Sequence, residues 1–243
     1  MPRQPIMRIN PNAGIELGPG FLEQRPTEAA LIAQCIATWI EVELQHSRLL
    51  AQLLHANTEP AAAVYLSLKT ASNRRELLAA AAKATLSAQE LELFFAIQNI
   101  GKGVETERNH LAHGIFGISS AIPESVVWVD PQHRIQNIIQ TTLASEKNIS
   151  SGGGSREFTA IIQKTMNELK ENIFVYRRTD LQGIYEIISQ YQKLVYQFIS
   201  LISRDHPALR EELFHQLCEI PRVQAELRRM RASQQTIHEA PRE

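Results

Sequence analysis

The sequence predicts an all-α helical bundle carrying a small irregular or β-containing insertion and ending in a flexible C-terminal tail. Four long stretches place large apolar residues at helical spacing, which argues for the bundle. Two short β-branched runs are confined to the middle of the chain, which argues for the insertion. The last 25 residues hold too few large apolar side chains to build a core. With 243 residues, 44% of them hydrophobic, the chain is long enough for one large core.

Residues 1–25, rich in Pro, Gly and Asn and without a period, read as an N-terminal arm laid on the surface. Leu31, Ile32, Cys35, Ile36, Trp39, Ile40, Leu49, Leu50, Leu53 and Leu54 then define a first helix from about Thr27 to Asn57. A second opens at Thr58, with Pro60 in its first turn, and runs through an alanine-rich segment to about Thr85. Ser87 and Glu90 have capping-box spacing at the start of a third, which continues through Phe94, Ile97 and Ile100 to His113, with Gly114 as its stop. Gly101 and Gly103 lack the surroundings of a phosphate-binding loop and read as a bend or a close helix contact.

From about 115 to 178 the helical period weakens. "VVWV" at 126–129 and "IFVY" at 173–176 read as strands, flanking a polar segment with the flexible "SSGGGS" at 150–155 and a short helix from Arg156 to Glu171. A fourth long helix follows, capped by Thr179 and Gln182, with Leu181, Ile184, Ile188, Tyr191, Val195 and Phe198 on one stripe, and a fifth covers Pro207 to Cys218. Residues 26–218 thus form one helical domain interrupted at 115–178, and 219–243 form a tail that is a frayed helix or a disordered end.

Charge excludes one broad class of function. Against 26 Asp+Glu stand 25 Lys+Arg, a formal charge of -1, so no global field draws nucleic acid or an acidic membrane, and RNA would need a local basic patch. Cys35 and Cys218 each sit in an apolar helical pattern and read as small buried thiols rather than a disulfide. No secretory leader or membrane-length apolar run is evident, so a cytoplasmic protein with no membrane partner is expected.

The chemistry concentrates at 105–114, "ETERNHLAHG". Residues four apart share a helical face, so Glu105, Asn109 and His113 form a polar column. Arg108 instead falls on the apolar stripe with Val104, Leu111 and Ala112, where a guanidinium is costly unless paired or used. Its planar fork suits phosphate, Asn109 can orient a neighbour, and His113 can transfer protons near neutral pH. The structural alternative is that His113 satisfies last-turn carbonyls and that Arg108 pairs with Glu105 or Glu107. His110 and His113 have zinc-like spacing, but no third ligand completes a set on this helix, so no metal and no cofactor are expected.

Read as "RNHLAH", Arg108, Asn109 and His113 resemble the arginine–polar–histidine signature of HEPN domains, many of them toxin or defence ribonucleases. The setting is similar too: the signature lies near the end of a long helix, with three long helices up to it and one after. The resemblance covers about Thr27 to Leu217, the segment 115–178 departing from it. It implies an up-and-down bundle that forms a homodimer, with Arg108 and His113 of both chains around one scissile phosphate. The implied activity is metal-independent endoribonuclease chemistry of toxin or antiviral-defence type. In it the ribose 2′-OH attacks phosphorus, Arg108 stabilises charge, His113 is general base or acid, and Asn109 orients His113. Glu105 and His110 would support the site, RNA would be the substrate and an antitoxin protein a candidate partner. Lys102, Arg177 and Arg178 are candidate RNA-binding cations, adjacent arginines being otherwise ordinary solvated surface. A different class of reading is a non-catalytic HEPN-like module that binds a nucleotide or a protein, and a third is a helical interaction protein whose motif only holds a dimer together.

Overall fold

The computed structural model describes residues 3–151, 154–203 and 207–239. In chain order they form β1 (Gln4–Pro5), α1 (Ile6–Ile9), β2 (Glu16–Leu17) and a 3-10 turn at Pro19–Gln24. Next come α2 (Pro26–Leu54), α3 (Thr58–Ser67), α4 (Ala71–Thr85) and α5 (Ala88–His113). After them follow β3 (Ile115–Ile118), β4 (Ser125–Val129), α6 (Pro131–Ser150), α7 (Ser155–Lys170) and β5 (Ile173–Arg177). The chain ends with α8 (Arg178–Ile202), a 3-10 turn at Pro207–Leu209, α9 (Arg210–Glu219) and α10 (Pro221–Glu239). The protein is mostly helical, with a small antiparallel sheet.

It divides into two compact units, residues 1–36 with 107–186, and residues 37–106 with 187–243. The first holds the sheet, of order β1-β5-β4-β3-β2, every pairing antiparallel. Alternation along the strands sorts its faces. On one, Val127, Val129, Ile173 and Val175 join Ile6, Ala13, Ile122 and Leu169 in a buried core. Trp128 and Phe174, paired across β4 and β5, belong to the other set of alternating positions, as does Tyr176. Both edge strands come from the N-terminal segment, and Ile6 is fully buried. The segment expected as a surface arm is therefore part of the sheet. Strands of two residues are too short to show a period in sequence.

The second unit is helical. Phe94 packs on Phe198, Trp39 stacks on Tyr191, and Leu49, Leu50, Leu53, Leu78 and Leu93 are fully buried. The capping box at Ser87 is present: Glu90 Oε2 accepts from the Ser87 amide at 3.1 Å, and Ser87 Oγ accepts from the Glu90 amide at 3.4 Å. The single helix expected from Thr58 to Thr85 is two, α3 and α4. Leu68 turns extended, Thr70 Oγ1 caps α4 by accepting from the Asn73 amide at 3.2 Å, and Arg74 Nε donates to the Leu68 carbonyl. In the expected C-terminal tail, Pro221–Glu239 are helical with Val223 and Leu227 buried, and Arg231 forms a two-pronged pair with Glu92. Residues 240–243 of that tail, Gly152 and Gly153 of the glycine run, and Met1 and Pro2 of the arm lie outside the described residues.

Two further differences fall in the first unit. Helix α6 occupies a segment expected to be polar and irregular. Its start was marked in the sequence: Asp130 Oδ1 accepts from the Gln132 amide at 2.8 Å and Pro131 takes the first helical position. At α8 the cap is Asp180, whose carboxylate accepts from the Arg177 amide at 2.8 Å, in place of the Thr179–Gln182 box.

Candidate functional site

The end of α5 delivers the motif to the first unit. Arg108 and Asn109 are half-buried and His113 is exposed on the last turn. Arg108 Nη1 donates to Asn109 Oδ1 at 3.0 Å, so Asn109 steadies the arginine rather than the histidine. Arg108 Nε is buried without a hydrogen-bond partner among the described residues. Neither neighbouring carboxylate neutralises this guanidinium. Glu105 forms an ion pair with Arg75, and Glu107 Oε2 lies 3.9 Å from His110 Nδ1. The column of Glu105, Asn109 and His113 expected from spacing is therefore engaged at two of its three positions by other arginines.

His110 sits in a denser setting. Arg3 Nη2 lies 3.4 Å from its Nε2, Trp128 meets its ring edge-on at 5.5 Å, and the indole Nε1–H donates to the His110 carbonyl at 2.7 Å. That donor satisfies one of the last-turn carbonyls of α5. The Arg3 guanidinium lies over both Trp128 and Phe174, 4.5 Å from each ring centre. Burial, and then the charge of Arg3, hold the His110 pKa below its ordinary value. Burial likewise pushes the Tyr176 hydroxyl up. Arg3 Nη1, Glu107 Oε2, His110 Nδ1 and Tyr176 Oη all lack a hydrogen-bond partner among the described residues, which leaves unspent polar capacity beside the motif.

Arg3 and Trp128 are the residues that sequence reasoning missed. "VVWV" placed Trp128 on a strand, yet nothing local could tie it to His110. Gly114 was legible as a helix stop, but its φ is not positive, and its role is steric. A Cβ there would lie 1.5 Å from the Trp128 indole nitrogen.

Of the candidate RNA-binding cations, Arg177 and Arg178 belong to the first unit. Arg178 is committed: its Nε donates to the buried Glu28 at 3.0 Å and its Nη1 to Glu124 at 3.5 Å. Arg177 is exposed, with its amide held by Asp180. Lys102 is exposed on α5 and belongs to the second unit. Among the described residues, no group of three or more His, Cys, Asp or Glu is placed to hold a metal ion, and no helix is long and apolar enough to cross a membrane. Comparison of the chain with protein-family models, with curated proteins and with solved structures gives no match.

Proposed function

We propose that the protein is a metal-independent endoribonuclease of toxin or antiviral-defence type, on a HEPN-like helical framework, acting through Arg108, Asn109 and His113. One observation carries this reading: Arg108 has no carboxylate partner among the described residues, although Glu105 and Glu107 are within three positions of it. A half-buried guanidinium held by a neutral amide keeps its charge for an anion. A phosphodiester is such an anion, and the exposed His113 on the same helix end can reach a substrate from solvent.

In the proposed reaction, neutral His113 of one copy takes the proton of the ribose 2′-OH as its oxygen bonds to phosphorus. Arg108 meets the charge that grows on the non-bridging oxygens. The bond to the 5′-oxygen breaks, and that oxygen takes a proton from water, so that one copy suffices for the step. The products are a 2′,3′-cyclic phosphate and a 5′-hydroxyl. Asn109 acts by holding Arg108 in place. An antitoxin protein remains the candidate restraint on such activity.

The test is cleavage of RNA by the purified chain. Arg108→Ala and His113→Ala should each lower cleavage by at least roughly a hundredfold with helicity unchanged by circular dichroism, and Asn109→Ala should lower it less. Excess EDTA should leave the rate unchanged, and 2′-O-methylated RNA should resist. Fragments bearing 5′-phosphates, or full activity in both variants, would reject the reading and leave the non-catalytic binding module.

A further inference from the structure

Helix α6 faces the wrong way for a helix in water. Its inner side, toward α7, is polar: Asn137 and Asn148 are buried, Asn137 Nδ2 donates to the Thr165 carbonyl at 2.8 Å, and the Thr141 and Thr165 hydroxyls bond at 3.1 Å. Its outer side is apolar. Ile135, Ile138, Ile139, Leu143 and Ile149 fall on one side of the helix and stay exposed, from 48% at Ile138 to 74% at Ile149. Amphipathic surface helices normally show the reverse. The bonds to α7 fix this orientation, because turning the apolar side inward would strip Asn137 of its acceptor. Together these five side chains present on the order of 600 Å² of surface, a patch of the size that marks an interaction surface.

We propose that this face docks a second copy of the chain, the two α6 helices packing antiparallel about a two-fold axis. Area supports it: two such faces together cover about 1,200 Å², the lower end of what specific stable interfaces bury. Charge decides the occupant and the direction. Glu146 projects from within the apolar stripe, exposed and outside every ion pair among the described residues. A carboxylate there opposes burial in a lipid surface. A second copy supplies its counterpart. In an antiparallel pair centred at Gln140, Arg134 of one copy comes level with Glu146 of the other, and Ile138 with Thr142. One nitrogen of Arg134 bonds Asn137 Oδ1 at 3.1 Å, which holds the side chain at the flank of this face. A parallel pair would set Glu146 against Glu146. Two-fold symmetry makes both contacts occur twice.

The docking face is separate from the motif and does not rest on the ribonuclease reading. Sedimentation equilibrium of the full chain at tens of micromolar should give the mass of two chains. Ile139→Glu with Leu143→Glu should give one chain with helicity retained. Glu146→Arg should weaken the dimer, and adding Arg134→Glu should restore it, which a variant that merely unfolds cannot do. Arg108→Ala and His113→Ala should remain dimeric, so their cleavage tests the catalytic reading alone. A wild-type monomer, a dimer indifferent to the α6 changes, or a charge reversal without rescue overturns the proposal. So does a monomer that co-sediments with phosphatidylcholine–phosphatidylserine vesicles through Ile139 and Leu143, an outcome that would assign the face to lipid.

Discussion

A single methyl group probes the packing at Gly101. A Cβ there would lie 2.3 Å from the Tyr191 hydroxyl oxygen and 2.5 Å from the ring carbon that bears it. Tyr191 is itself buried and bonded to His46 at 3.1 Å, so it cannot move aside freely. Gly101→Ala should therefore cost about 1–3 kcal/mol by overpacking, outweighing the gain of at most ~1 kcal/mol in helix propensity. Gly103 meets nothing within 4 Å, and Gly103→Ala should gain about 0.5–1 kcal/mol. Urea titrations of the two variants check this, and equal shifts would dissolve the distinction. Spacing had allowed a bend or a contact for either glycine, because a sequence shows where side chains are missing but not what stands opposite. The same limit applies to the motif. Helical periodicity put Arg108 on an apolar stripe and offered Glu105 and Glu107 as partners, whereas Arg75 and His110 are the groups those carboxylates face.

Among elements, α6 depends most visibly on its first residues. Asp130→Ala removes the acceptor for the Gln132 amide and should cost about 1 kcal/mol, with faster amide exchange in the first turns of α6, while Asp130→Ser should recover most of the loss. Unchanged exchange in the alanine variant would mean that packing on α7 alone starts the helix. Long elements were legible: α2, α5 and α8 begin and end close to where apolar period and cap residues place them. The elements that were not legible share a physical cause. Strands β1 and β2 have two residues each and exist through pairing with β5 and β3. Helix α6 buries its asparagines and exposes its isoleucines, so it carries no stripe that points to a core. The break between α3 and α4 turns on one threonine cap inside a good helix former.

For the molecule as a whole, a dependence on pH follows from His46. Burial, followed by the charge of Arg75, lowers its pKa from 6.5 to about 4. The fold therefore holds the neutral ring, and the unfolded chain binds the proton first as acid is added. The stability tied to His46 is complete above about pH 6.5, declines as pH falls toward 4 and then levels off, a total of about 3 kcal/mol. His46→Gln should flatten that slope in urea titrations at pH 7 and pH 4.5; a variant as acid-sensitive as the wild type would assign the slope to other groups. The sequence by itself determined the helical class, the long helices and the placement of Arg108, Asn109 and His113 on one helix end, because periodicity and capping act over a few residues. Only the tertiary structure decided which cations are committed and which motif groups are held, as in the pairing of Arg178 with Glu28, Arg75 with Glu105 and Arg3 with His110. Those partners stand between 30 and 150 positions apart in the chain, and at that separation strand pairing and helix packing, not local spacing, set who meets whom.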